Sequence, residues 1–120
     1  MELKHGDKQQ TFGTGAKRDE ETGKPQFSLI SPYMLTRLAE WLTKAVPHYG
    51  KDNWAKGLPL RRTWDSLMRH LIAVWEGKHD EDHEAALLCN VMFFIDTKHR
   101  VQEGQLPAVL DDMPTYCKEK

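Results

Sequence analysis

The sequence predicts an all-α fold: a small bundle of three main helices preceded by an extended arm. Three observations lead there. Apolar residues recur every three or four positions over 34–45 and again over 60–75, residues 85–95 are apolar almost all round, and no run alternates with the period of two that a half-buried strand needs. A chain of 120 residues holds one modest core and leaves no room for a second domain.

Residues 1–30 are polar, carry four of the eight glycines and show no sustained periodicity, so they read as an extended Gly/Lys-rich arm that orders on contact. Ser31-Pro32 then gives a helix start, a capping hydroxyl followed by proline where a missing N–H is no loss. Met34, Leu35, Leu38, Trp41, Leu42 and Ala45 mark the first helix, expected to end before Pro47. Residues 48–59, rich in Gly, Asn, Lys and Pro, read as a loop around one large aromatic residue, Trp54.

The second helix is expected from about Leu60 to Trp75. Leu60, Trp64, Leu67, Met68, Leu71 and Trp75 form its apolar stripe, with Asp65, Arg69 and Glu76 on another face and His70 on the opposite flank. After Gly77, Asp80-Glu81-Asp82 opens the third helix, where carboxylates cap free N–H groups and meet the positive end of the dipole. An all-round apolar helix belongs between neighbours, so the third helix is expected at the centre, and Asn90 within it must find partners or line a polar cavity. The tail from Gln102 carries Gly104, Pro107 and Pro114, with a short helical turn expected at 108–112. Residues 31–120 thus form the helical domain expected to bind the ligand.

Seventeen Lys and Arg stand against eighteen Asp and Glu, a net charge of -1, so neither polymeric nucleic acid nor a membrane surface is expected as partner. Cys89 and Cys117 lack zinc-type spacing and are too few for a disulfide framework, which points to a reducing compartment. No apolar stretch reaches transmembrane length, and Met1-Glu2-Leu3-Lys4-His5 lacks a signal-peptide core, so a soluble, cytoplasmic protein is expected.

What remains is a set of pieces suited to a small phosphorylated ligand. Gly13-Thr14-Gly15-Ala16-Lys17-Arg18 combines glycines that free the backbone to gather N–H groups around an anion with two cations to neutralise it. No strand precedes it and its spacing is not that of a Walker loop, so alone it also fits a solvated arm. Trp54, flanked by Asn53 and Lys56, is placed to stack on a base or to plug the core. Asp65 and Arg69 taken alone read as a surface ion pair. His70 and His83 border apolar faces of helices that should pack together, where imidazole can donate to phosphate, act as acid or base, or ligate a metal; each could instead be a satisfied core histidine. Glu76, Asp80, Glu81, Asp82 and Glu84 gather at the turn between the last two helices, enough for magnesium alongside substrate phosphates, although acids at a helix start also serve as caps.

The phrases FGTGAKRDEETGKPQFSLISP, YGKDNWAKGLPL, DSLMRHLIAVWEGKHDEDHEAALLCNVMFF and QLPAVLDD resemble the phage-type dATP/dGTP diphosphohydrolase N-terminal domain family over nearly the whole chain. The resemblance implies an all-α protein of viral origin with a MazG-like flavour, cleaving deoxynucleoside triphosphates to monophosphate and pyrophosphate with magnesium. The residues matching the pattern are Gly13, Gly15, Lys17, Arg18, Asn53, Trp54, Lys56, Arg69, His70, Asp80, His83 and Asn90. MazG-like enzymes use two acidic pairs, Glu-x-x-Glu and a later Glu-x-x-Asp. Here Glu81-x-x-Glu84 resembles the first, and Asp96-x-x-His99 is the nearest candidate for the second.

Two functions follow. As an enzyme, Asp80, Glu81 and Glu84 hold magnesium, Lys17, Arg18 and Arg69 clamp phosphates, His70 and His83 move protons, and Gly13, Gly15, Asn53, Trp54, Lys56 and Asn90 bind the rest of the nucleotide. As a binding module, the same cations and aromatic residue sequester a nucleotide-derived host immune signal without chemistry or metal. Four tryptophans and wide apolar faces on short helices also predict a homo-oligomer.

Overall fold

A serine hydroxyl and a proline fix where the first long helix begins. In the computed structural model, which describes residues 8–117, Ser31 Oγ accepts from the Met34 N–H at 3.2 Å and Pro32 takes the first position of helix α1, Pro32–Tyr49. The helix runs through Pro47, where the sequence predicted a stop. A proline so near the end removes only one late hydrogen bond, and the Gly50 N–H closes the last turn on the Val46 carbonyl at 2.8 Å.

Helix α2, Leu60–Trp75, has the expected span. Helix α3, His83–Gln102, starts after the acidic run rather than within it. Asp82 is its N-cap, accepting from the Ala85 N–H at 3.1 Å, so Asp80 and Glu81 precede the helix instead of opening it. As its all-round apolar composition implies, α3 packs against both α1 and α2.

The α2–α3 seam is made of small side chains. Among the described residues the buried ones are Leu60, Thr63, Ala73, Ala85, Ala86, Cys89 and Thr97, and only Leu60 is larger than threonine. The predicted stripe of α2 is buried only in part, with Leu60 fully buried and Leu67 and Met68 half-buried. Trp64 and Leu71 remain 40% and 41% exposed and Trp75 87% exposed, while Thr63, His70 and Ala73 face inward. Burial here follows how the two helices pack, and hydrophobicity alone does not report that. His70 is thereby carried onto the inner face.

The loop between α1 and α2 is held at three points. It contains a short 3-10 helix, Asn53–Lys56, whose Ala55 carbonyl accepts from Arg100 Nη1 at 2.8 Å. Gly57 (φ +99°) follows, and a Cβ there would lie 2.6 Å from Leu110 Cδ1 in a backbone conformation that favours glycine, so a larger residue is strained and must push the leucine aside. The Arg61 N–H donates to Asp112 Oδ1 at 2.7 Å. The tail that makes these contacts includes the 3-10 turn Ala108–Leu110, close to the expected one.

The chain divides into two units, Met1–Ile30 and Ser31–Lys120. The first contains an element absent from the sequence reading, an antiparallel hairpin of β1 (Gln9–Thr11) and β2 (Lys17–Asp19) with Gln10 opposite Arg18 and Thr11 opposite Lys17. Gly15 at φ +88° makes the turn, its N–H on the Phe12 carbonyl, and the Phe12 N–H reaches the Ala16 carbonyl, both at 2.9 Å. Both strands are short and almost wholly exposed, so no buried face imposed an alternating pattern for the sequence to display. Among the described residues no helix is long and apolar enough to cross a membrane.

Candidate functional site

Arg62, Ser66, Arg69 and His70 recur at helical spacing along one side of α2, and Ala86, Asn90 and Phe93 do the same on α3. With Trp41 and Val46 of α1 and Lys51, Asn53 and Trp54 of the loop, they line one cleft of ≈ 680 Å³. Small-molecule sites span roughly 300–1,000 Å³, so the space suits a nucleotide-sized ligand. The lining carries three cations, Lys51, Arg62 and Arg69, and one carboxylate, Asp52, while the α1 wall is mostly apolar, with hydroxyls at Thr43 and Tyr49. An anion with a flat or apolar body matches both walls.

Trp54 packs against the core and also reaches the cleft. Its ring stacks on Phe93 with centroids 5.9 Å apart and planes 19° from parallel, and it also borders the cleft. The Asn90 amide is satisfied locally, Nδ2 donating to the Ala86 carbonyl at 2.8 Å, and its residue lines the same cleft.

The two histidines meet. His70 Nδ1 lies 3.0 Å from His83 Nδ1, and Glu81 Oε1 stands 3.6 Å from the first and 3.4 Å from the second. On the far side of His83, Nε2 is 2.7 Å from Asp80 Oδ1. That carboxylate fixes the proton on His83 Nε2, which leaves Nδ1 as an acceptor for the His70 Nδ1–H. Burial pushes the His70 imidazole below its ordinary value, the neighbouring His83 and Arg69 act in the same direction, and Glu81 opposes them. The hydrogen bond from His83 holds the Asp80 carboxyl below the usual carboxylate range.

Of the residues expected from sequence, Asn53, Trp54, Arg69, His70 and Asn90 share the cleft. His83, Glu81 and Glu84 line a neighbouring depression with Arg37 and Lys78, and the His70–His83 contact links the two groups of residues. Lys56 is exposed and is not among the residues lining the cleft. Gly13, Gly15, Lys17 and Arg18 lie in the hairpin unit, where adjacent strand residues point to opposite faces, so Lys17 and Arg18 do not project to the same side. No Asp65–Arg69 ion pair forms among the described residues; Arg69 lines the cleft instead.

Among the described residues the acids do not gather as a carboxylate cage. The group able to share one cation is His70, Glu81 and His83, while Asp80 is engaged with His83 and Glu84 lies outside it. Magnesium takes oxygen ligands, and two imidazole nitrogens with one carboxylate oxygen do not fit a resident magnesium ion. The nearest stand-in for a second acidic pair is also engaged, since Asp96 Oδ2 pairs with Arg100 Nη1 at 3.4 Å.

A family model described as "dATP/dGTP diphosphohydrolase, N-terminal" matches residues 14–106. The chain belongs to this family. The family region contains the whole cleft, both histidines and the acidic turn, with Gly13 just outside it. No curated protein and no solved structure matches the chain.

Arg62 and Phe93 are cleft residues that the sequence reading missed. Arg62 stands two helical turns before Arg69, a signal that was available in the spacing. Phe93 lies inside an apolar run and gives no such signal, because only tertiary packing tells a stacking partner from core.

Proposed function

We propose that the cleft binds a purine deoxynucleoside triphosphate of the dATP/dGTP type and that the protein hydrolyses it to the monophosphate and pyrophosphate. The observation that carries the reading is the shared lining of one cleft by Trp54, Asn53, Asn90 and the cations Arg62 and Arg69 in a member of this family. The base lies against Trp54, whose stacking with a base contributes about 1–3 kcal/mol. Arg62, Arg69 and Lys51 meet the phosphates, and the planar guanidinium groups suit bidentate contact with phosphate oxygens. Asn53 and Asn90 supply amides for the base edge or sugar.

Hydrolysis to monophosphate breaks the bond between the α-phosphorus and its bridging oxygen, and water supplies the new oxygen. His70, kept below its ordinary pKa by burial, is neutral at pH 7 and can take the proton of the attacking water. His83, anchored by Asp80, holds the other side of the His70 ring. Magnesium in this reading is part of the substrate, held by the triphosphate oxygens that supply its preferred ligands.

A second reading has one observation in its favour. With Glu84 apart from Glu81 and Asp96 paired to Arg100, the chain lacks a carboxylate cage among its described residues, which suits a module that sequesters a nucleotide-derived signal without cleaving it. Incubation with dATP and dGTP in magnesium, followed by chromatography of bound and free nucleotide, separates the two. Monophosphate and pyrophosphate in equal amounts support the enzyme; unchanged nucleotide recovered from heat-denatured protein supports sequestration; failure to bind either nucleotide or a cyclic dinucleotide ends both.

Self-association belongs to the same reading. Leu71, Ile72 and Trp75 leave an apolar strip exposed on α2, and sedimentation showing a monomer at all concentrations would dismiss it.

A further inference from the structure

We propose that His70 Nδ1, His83 Nδ1 and Glu81 Oε1 form a three-ligand site for a four-coordinate first-row divalent cation of the zinc type, with the fourth position open. Those three atoms make a triangle of the right size for such an ion. Its sides are 3.0, 3.4 and 3.6 Å. Such a triangle has a circumradius of about 1.9 Å, so a point roughly 0.7 Å off its plane is ~2.05 Å from all three atoms, within the Zn–N and Zn–O range. A tetrahedral ion at that bond length has ligand–ligand edges of about 3.3 Å, close to the mean of the three sides. The three atoms already stand at the separations such an ion needs, and binding moves the His70 proton from Nδ1 to Nε2.

The surroundings fit the same ion. Nitrogen donors with one carboxylate select zinc and its first-row neighbours over magnesium and calcium. Asp80 on His83 Nε2 at 2.7 Å is the outer carboxylate that metal-bound histidines commonly carry; it keeps the proton on Nε2 and turns the Nδ1 lone pair inward. His70 belongs to a different helix, so the ion bridges α2 to the start of α3. Because His70 also lines the large cleft, the metal stands at its wall. The inference goes beyond the nucleotide reading and does not depend on it, since its probe is metal alone.

The test uses untagged full-length protein, stripped with chelator and titrated without nucleotide with Zn²⁺ or Co²⁺ against a chromophoric competitor. One equivalent of Zn²⁺ binds, Co²⁺ gives the intense visible bands of a four-coordinate ion, and magnesium in excess does not displace either. Glu81→Gln, an isosteric change at an exposed residue that leaves folding intact by circular dichroism, weakens Zn²⁺ at least tenfold, as does His83→Gln. Asp80→Asn weakens it about 10- to 100-fold by loosening the His83 ring. Absence of stoichiometric Zn²⁺ binding, or unchanged affinity in folded Glu81→Gln, overturns the site. Equal displacement by magnesium overturns the assignment of the ion. Loss of nucleotide binding with metal binding intact would overturn only the nucleotide reading of the cleft.

Discussion

Replacing Asp82 by alanine should loosen the start of α3, because one carboxylate does two jobs there. It caps the helix through the Ala85 N–H, and it pairs with Arg37, tying α1 to α3. Loss of an N-cap costs about 1 kcal/mol, within a span of 0.5–2. In a small domain each kcal/mol lowers the melting temperature by roughly 4–8 °C, so Asp82→Ala should melt at least that much below the parent at pH 7. Asp82→Asn keeps a capping oxygen and loses only the charge, and should fall less than half as far. The difference between Asp82→Asn and the parent also has a pH signature. Burial alone would push the Asp82 carboxyl up, but the Ala85 N–H and the Arg37 guanidinium outweigh it and hold the folded value below the usual range. Stability from a carboxylate whose pKa falls on folding is present above its unfolded value of about 3.9 and is lost as pH drops through the lower folded value. The parent's advantage over Asp82→Asn should therefore be full at pH 6 to 7 and shrink in acid below about pH 4. Thermal melts followed by circular dichroism across that range decide it. Equal melting temperatures for Asp82→Ala and the parent at pH 7 would refute the reasoning.

Other expectations follow from the same contacts. Gly57→Ala places a Cβ against Leu110 at a left-handed φ, so urea unfolding should show a loss of about 1–3 kcal/mol. Burial raises the Cys89 thiol to about 11, so in native protein at pH 8 iodoacetamide should leave Cys89 unmodified, with mass mapping showing reaction only after unfolding. Trp54→Ala should weaken nucleotide binding about 5- to 100-fold by calorimetry, with Trp54→Phe recovering most of it. Arg69→Gln should raise the nucleotide Kd about tenfold and flatten its salt dependence, while leaving the melting temperature unchanged because the side chain is exposed.

The helices were legible because their signals are local. Ser31-Pro32, the apolar spacing of α1, the span of α2 and the all-round apolar α3 each state themselves within a few residues. Which α2 residues are buried was not fully legible, since Thr63 and Ala73 are buried while Trp64, Leu71 and Trp75 stay exposed, a property of how two segments pack. The hairpin was invisible because its strands bury almost nothing. For the site, the types of residue could be read but not their grouping. His70 and His83 drew notice by bordering apolar faces, yet only the fold shows their Nδ1 atoms meeting with Glu81, and only the fold leaves Glu84 in the same depression but outside that group. Arg69 read from sequence either as half of a surface pair with Asp65 or as a phosphate clamp, and only the packing of α2 beside the loop shows it on a cleft wall.

The most direct measurement of the central claim is an ¹H–¹⁵N correlation spectrum of the protein titrated with dATP and with dGTP. The Trp54 indole N–H, the Asn53 and Asn90 side-chain amides and the Arg69 Nε–H, all from residues lining one cleft, should shift together along a single binding curve. Saturable shifts that bypass these four groups and cluster elsewhere, or no shifts at all, would contradict it.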